Sequence, residues 1–449
     1  MAKATSQFVC QQCGAIRSKW VGRCDNCGEW NSFVEQVTDS SMAIGGNLKS
    51  SGKALLPTPV SKVSDNATRN RTSTKIKDVD DVLGGGIVPA SVILLAGQPG
   101  IGKSTILTQI AHSVAMTDPV LYVSGEESAE QIKARASRLG ALSDQLLLAS
   151  SVSADDIAST ISTGKYKLVI VDSIQTIATA GISSGPGSVS QVTNCLNLLS
   201  QVAKAHNTSL IIVGHVTKEG SIAGPKLLEH LVDVVLNLEG DRYGGFKVLR
   251  AVKNRYGSTN EAGIFEMGET GLEVVANPSA ALLAERQATD GSVVLVTMEG
   301  TRPLLVEVQA LVNKTSFGYP KRTASGFDLN RLNLLIAVLE RRTSLSLSES
   351  DVYINVVGGI RLNDPAADLA ICMAIATSAR ERRLEPQVAV LGEVGLSGEI
   401  RRVPHIEKRC KEAEKLGFTT VIGPNYQKNP TNLASVHDLR DALNTYLQK

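Results

Sequence analysis

The sequence predicts an α/β fold: a mainly parallel sheet with helices on both faces, a small cysteine-bearing module before it and a second α/β unit after it. Three observations lead there. Apolar runs alternate with helically spaced stretches from about residue 71 to 275. A stretch rich in Ser, Gly, Thr, Asn and Pro, 38–70, separates that region from a start that bears Cys and Trp. From about 280 a second set of strand-like and helix-like runs begins, with no repeat of fixed period. The chain has 449 residues, room for two or three domains. Boundaries are expected at 8–35, 36–70, 71–277 and 278–449.

Composition excludes several classes. Apolar residues make up 43% of the chain, so a core can be buried. The net charge is only +2, so any nucleic-acid site must be local. The opening "MAKATSQFVC" has no apolar core and no small-residue cleavage site of a secretory signal. No run of about 18 apolar residues suggests a membrane span. A cytoplasmic protein is expected, and its seven cysteines then read as metal ligands or free thiols.

The first element is "CQQCGAIRSKWVGRCDNCGEW", with Cys10 and Cys13, then Cys24 and Cys27. Two CxxC pairs let four thiolates converge tetrahedrally on Zn²⁺, as in a zinc ribbon or rubredoxin-like knuckle. Such a closed site is structural and explains how so short a segment folds. Cys195, Cys372 and Cys410 lie in apolar helical stretches and read as core thiols. The 36–70 segment has too few apolar residues to offset its ordering entropy and reads as a linker.

Next come "SVILLAG" as a strand, "STILTQIAHSVAM" as a helix, "VLYVSG" as a strand and "EESAEQIKARASRLG" as a polar helix ending at Gly140. "KLVIVDS" and "SLIIVGH" read as buried strands around the helix "VTNCLNLLSQVAKAHN". "DVVLNLE" and "FKVLRAVKN" close the region. In the last unit, "SVVLVTMEGTRPLLVEVQALV" reads as paired strands. "RLNLLIAVLERR" and "AADLAICMAIATSARERR" read as helices, "VAVLGEVGLSGEIRRV" as strands around a turn, and a helix follows from His405.

"GQPGIGKST" follows a strand and opens a helix, the context a phosphate-binding loop requires. Gly97, Gly100 and Gly102 let backbone N–H groups approach the phosphates of ATP, with Thr105 next on the helix. Lys103 reaches the β- and γ-phosphates and Ser104 ligates Mg²⁺. Asp172, ending "LVIVD", fits the carboxylate that holds Mg²⁺ through water. Glu126 and Glu127 end the strand "LYVSG" at the same sheet edge. One of them is expected to polarise the attacking water, and Glu126 is favoured.

"LGGGIVPASVILLAGQPGIGKST", "VLYVSGEES", "LVIVDSIQT", "LIIVGHVTKEG" and "VKNRYG" occur in that order. Together with the four-cysteine finger, they make nearly the whole chain resemble bacterial RadA (Sms), a RecA-related family of recombination proteins. The resemblance implies a RecA-like ATPase core, a C-terminal domain similar to the Lon protease domain, and a ring-forming hexamer. It further implies a DNA-stimulated ATPase that drives branch migration and heteroduplex extension on single-stranded and branched DNA, with RecA as partner. In RecA-core hexamers similar to DnaB, a K-x-R pair at the end of a late strand crosses the subunit interface. Here that pair is Lys253 and Arg255, with Tyr256 next. It would stabilise charge on the γ-phosphate bound by a neighbour.

In RecA-like folds two loops after core strands face the ring axis. They correspond here to 176–192 and 216–228, where Lys218 and Lys226 would pair with DNA phosphates. His215 leads into the second loop as a candidate γ-phosphate sensor. Neither loop has an aromatic residue, which points to backbone tracking without base stacking.

Against the Ser-Lys dyad of Lon-type proteases, Ala366 stands at the nucleophile position. Glu407 falls at the lysine position, with Lys408 one place off. The unit is therefore read as a non-proteolytic oligomerisation platform. "NKTSFGYPKRTASGFDLNR" interleaves Lys314, Lys321, Arg322 and Arg331 with aromatic residues, a candidate DNA surface or an ordinary solvated loop. Three further readings stay open: a replicative-type helicase, an ATP-dependent protein-handling factor, and a KaiC-like signalling ATPase. The finger's spacing does not decide between DNA and a protein such as RecA as its ligand.

Overall fold

The structure is a computed structural model that describes residues 5–11, 15–38, 58–59, 70–215, 227–240, 245–315 and 318–447. Two compact units appear. One comprises Met1–Leu238, Ala251–Thr259 and Gly268–Leu272; the other Glu239–Arg250, Asn260–Met267 and Glu273–Lys449.

The first unit opens with a three-stranded antiparallel sheet of β1 (Thr5–Cys10), β2 (Ile16–Arg17) and β3 (Phe33–Thr38), in the order β2-β1-β3. Its core is Cys10, Cys24 and Phe33, backed by Phe8, Ala15 and Val21. So small a core needs a staple, which the cysteine pattern supplies.

Helix α1 (Lys77–Leu83) precedes the parallel sheet and ends at Gly84, left-handed at φ 80. The sheet strands are β4 (Val92–Gly97), β5 (Val120–Ser124), β6 (Leu146–Ser150), β7 (Leu168–Asp172), β8 (Ser209–His215) and β9 (Val234–Gly240). They run parallel in the order β9-β4-β8-β7-β5-β6. β4, β5 and β7 are buried at every residue, which is why they read as unbroken apolar runs and not as alternation.

The crossovers are α2 (Lys103–Ala115), α3 (Ala129–Arg138), α4 (Ala154–Thr163) and α5 (Val189–Ala205), and α6 (Leu227–Leu231) leads into β9. Helix α3 starts at a capping box of Ser128 and Gln131, and ends just before left-handed Gly140 (φ 63). Helix α5 begins earlier than its apolar spacing alone suggests. Ser188 caps it by accepting from Gln191 N, so the expected loop 176–192 is shorter by its last four residues.

Strand β10 (Lys247–Asn254), of which Lys247–Arg250 belongs to the second unit and the rest to the first, pairs antiparallel with β11 (Ala262–Gly268) over Lys247–Arg250. Short β12 (Gly271–Val274) and α7 (Pro278–Leu283) follow. A seven-stranded sheet then runs β15-β16-β14-β13-β17-β20-β21. Its strands are β13 (Ser292–Glu299), β14 (Arg302–Lys314), β15 (Arg322–Ser325), β16 (Ser350–Val356), β17 (Val388–Val390), β20 (Thr420–Gly423) and β21 (Leu433–Ser435). β18 (Glu393–Val394) and β19 (Ile400–Arg401) form a separate pair around a turn.

The helices of this unit are α8 (Leu329–Arg342), α9 (Ala367–Ala379), α10 (Ile406–Lys415) and α11 (Leu439–Leu447). Helix α9 is buried at nearly every position, so it carries apolar and small residues all round and forms the centre of the core.

Candidate functional site

Three glycines shape the loop between β4 and α2. Gly100 and Gly102 are left-handed, at φ 78 and 116, and a Cβ at Gly97 would lie 2.6 Å from the Leu238 carbonyl oxygen. Helix α2 has no side-chain cap, which leaves its first N–H groups for an anion. The Lys103 side chain is buried, and its Nζ donates to the carbonyls of Gly97 (2.9 Å) and Gln98 (3.0 Å). Burial lowers its pKa, while the Asp172 and Glu126 carboxylates oppose that shift. The ammonium is thus held over the loop by acceptors that phosphate oxygens can replace.

Asp172 ends β7, and its Oδ2 accepts from Ser104 Oγ at 2.7 Å and from Tyr122 OH at 2.8 Å. Burial, then the Asp172 charge, raises the Tyr122 phenol well above its ordinary value, so it stays a donor. The two glutamates differ. Glu127 forms an ion pair with Arg135 at 2.7 Å. Glu126 Oε1 accepts from Ser173 Oγ at 2.6 Å, beside Asp172. Lys103, Ser104, Asp172 and Glu126 therefore converge at the C-terminal edge of the sheet, where ligands bind in open α/β folds. Thr105 is half-buried in the first turn of α2.

Lys253 and Arg255 lie at the other edge. Arg255 Nη1 donates to Asp233 Oδ1 (3.1 Å), and Asp233 Oδ2 accepts from the backbone N of Val92 (3.0 Å), the first residue of β4. Asp233 is buried and also meets Lys204 at 3.2 Å. Lys253 Nζ donates to the carbonyls of Glu229 (2.6 Å) and Val232 (2.8 Å). Burial, then the Arg255 charge, lowers its pKa against the pull of Asp233 and Glu229. Tyr256 O accepts from Arg71 Nη2 at 2.7 Å. The Arg255 side chain keeps 56% of its surface exposed.

Lys218 and Lys226 lie outside the described residues, as does the side chain of His215. The first expected DNA loop is described. Buried Gln191, at the start of α5, donates its amide to the carbonyls of Ile182 (3.1 Å) and Ser184 (2.9 Å) and accepts from Thr179 N (3.0 Å). One helical side chain thus holds both arms of the loop, a role that its polar type did not signal.

In the N-terminal sheet, Cys10, Cys24 and Cys27 bring their Sγ atoms within 4.8 Å of one another, and Cys10 and Cys27 are 3.7 Å apart. A tetrahedral Zn²⁺ site with Zn–S of about 2.3 Å needs sulfurs about 3.8 Å apart, so the three fit one ion. Cys13 lies outside the described residues. Cys195, Cys372 and Cys410 are buried. Among the described residues no helix is long and apolar enough to cross a membrane.

Comparison with known proteins covers the same three regions. A family model described as a rubredoxin metal binding domain matches residues 8–35, an AAA domain matches 57–221, and subunit ChlI of Mg-chelatase matches 334–427. The DNA repair protein RadA of Halalkalibacterium halodurans is 50% identical over 428 residues, 95% of this chain and 93% of that protein. The RadA protein of Bacillus subtilis is 49% identical over 428 residues, 94% and 93% of the two chains. This chain belongs to the RadA family. As a RadA-family protein it is a DNA repair ATPase with a RecA-like core, a zinc ribbon and a Lon-like C-terminal domain. Among solved structures, a RadB recombinase is similar at 23% identity, with a TM-score of 0.37 over 45% of this chain and 99% of that one.

The Lon-like domain has a Lon-type dyad at neither position. Ala366 is fully buried. The cation that points inward from α10 is Arg409, whereas Glu407, expected at the lysine position, and Lys408 are exposed. Arg409 is 1% exposed. Its Nη1 pairs with Asp364 Oδ2 at 2.7 Å and donates to Val296 O at 2.8 Å, and its Nε donates to Pro404 O at 2.9 Å. Asp364 also accepts from Ala366 N (3.0 Å), Met298 N (3.0 Å) and Thr297 Oγ1 (3.1 Å). Burial alone would raise the Asp364 carboxyl, but Arg409 and these donors hold it below its ordinary value. A guanidinium stays charged and cannot act as the base.

Two arginines of the basic stretch 313–331 have partners inside the unit. Arg331 pairs with buried Asp368, and Arg322 donates to the carbonyls of Leu347 and Ser350, so both arginines brace the unit. Tyr319 is 88% exposed, and Phe317 lies outside the described residues.

Proposed function

We propose that this chain is a DNA-stimulated ATP motor that assembles as a hexameric ring. It binds single-stranded DNA and drives branch migration of recombination intermediates, with RecA, in the cytoplasm. The observation that carries the ring is where Arg255 sits. Its guanidinium is tied through Asp233 to Val92, while the phosphate loop follows Gly97 at the far end of the same strand. Five steps of strand at about 3.3 Å each separate the two ends by about 16 Å. That is beyond the reach of one side chain, so Arg255 serves a nucleotide held by a neighbour, and Lys253 accompanies it.

Within each site, the backbone at Gly97, Gly100, Gly102 and Thr105 cradles the phosphates and Lys103 neutralises their outer charge. Ser104 and Asp172, already 2.7 Å apart, hold Mg²⁺. Held by these two side chains, the ion would supply positive charge that offsets the charge developing on phosphoryl transfer. Glu126 polarises the water, because Glu127 is committed to Arg135. Lys218 and Lys226 track DNA phosphates. Zn²⁺ on Cys10, Cys13, Cys24 and Cys27 holds domain 8–35, tethered by 36–70 to the motor at 71–277, and domain 278–449 is a non-proteolytic platform.

The test is the ATP hydrolysis rate of the purified chain alone, with single-stranded DNA and with an unfolded protein. Stimulation by DNA, with movement of a joint between paired duplexes, is expected. Stimulation by unfolded protein alone would refute the motor and favour protein handling.

A further inference from the structure

The zinc-ribbon domain carries an aromatic surface that its fold does not require. The chain has two tryptophans, and both are here. Trp20 is 53% exposed and Trp30 67%, and neither belongs to the small core of Cys10, Cys24 and Phe33. Gly22 lies between them. A Cβ there would sit 3.6 Å from Trp20 Cη2 and 4.0 Å from Trp30 Cζ3, so the two indoles border one open spot.

Arg23 pairs with Trp30 as an antiparallel bridge and lays its guanidinium 5.7 Å from the Trp30 ring centre, with its Nε anchored on Gly28 O at 3.0 Å. Arg17 is neutralised by Asp25 at 2.7 Å, whereas Lys19, next to Trp20 in the chain, and Arg23, over the Trp30 ring, are exposed.

We propose that Trp20, Trp30 and Arg23 form a stacking platform for the bases of single-stranded nucleic acid, with Lys19 against the phosphates. An indole is costly to leave in water, and flat faces backed by a stacked guanidinium suit bases of any sequence. A protein interface of ordinary size calls for about 800 Å² per partner around a packed apolar centre, whereas this patch is two rings bordered by charges. The choice of ligand rests on the DNA-motor reading above. The platform would supply the base contacts that the loops at 176–192 and 216–228, which lack aromatic residues, do not offer.

Intrinsic tryptophan emission reports this surface alone, since no other tryptophan exists. The experiment titrates oligothymidylate into the full-length protein and follows that emission beside the anisotropy of a labelled oligonucleotide. Saturable quenching in step with anisotropy is expected. Trp20→Ala and Trp30→Ala should each weaken binding roughly five- to hundredfold. Trp20→Phe and Trp30→Phe should retain most of the binding, with zinc content and DNA-free hydrolysis unchanged in all four. Binding seen by anisotropy with unmoved emission and an unweakened double alanine variant overturns the platform and leaves the motor standing. Absence of binding by both readouts removes both.

Discussion

Replacing Arg255 by alanine separates a finger that acts across subunits from one that acts within its own. The change removes one partner of Asp233, which keeps Val92 N at 3.0 Å and Lys204 at 3.2 Å, so the fold should survive. The nucleotide should still bind, since Lys103, Ser104 and Asp172 lie about 16 Å away along β4. Losing an arginine finger costs a factor on the order of a thousand or more in turnover. Lys103→Ala is inactive for the complementary reason, yet still presents Arg255 to its neighbour. In an equal mixture that assembles at random, about a quarter of interfaces join an intact phosphate loop to an intact finger across a head-to-tail contact. Phosphate release, measured with DNA present across mixing ratios, should therefore rise from near zero for each pure variant to a maximum near equal parts. A flat response at every ratio, with both variants shown to co-assemble, would refute action in trans. So would normal turnover by Arg255→Ala alone.

Two further outcomes test the Lon-like domain. Arg409→Ala strands the Asp364 carboxylate without its buried partner and should cost about 3–5 kcal/mol, read as a lowered Tm. Because the folded Asp364 pKa lies below the unfolded one, its stabilisation is complete above the ordinary carboxylate range and is lost as pH falls through the folded value. The natural protein should thus lose stability in acid more steeply than the variant does, and parallel Tm–pH curves would contradict this. Ala366→Ser restores a hydroxyl but no base, so hydrolysis of a fluorogenic peptide should stay at background. Turnover above background would show that a base is present after all.

Some of this was legible residue by residue. The CxxC pairs and the "GQPGIGKST" loop are local, since their spacing sets which sulfurs can converge and which N–H groups line a turn. The buried strands were equally plain, because a strand covered on both faces is apolar at every position. Arg409 was not legible. On α10, Glu407, Lys408 and Arg409 are three adjacent charges, and which one is buried depends on how the helix is rotated against β13 and β14. Gln191 and the pairing of Glu127 with Arg135 escaped for the same reason, since each depends on a partner elsewhere in the chain.

By itself the sequence determined the two CxxC pairs, the glycine-rich loop that opens α2 and the resemblance to the family, all of which rest on short spacings or on residue identity. Only the tertiary structure decided which end of β4 each charged group occupies. Asp233 and Val92 are 141 positions apart in the chain, and no local preference relates them. Their hydrogen bond exists because parallel pairing sets β9 beside β4 in register, and that register carries Arg255 to the edge away from its own phosphates.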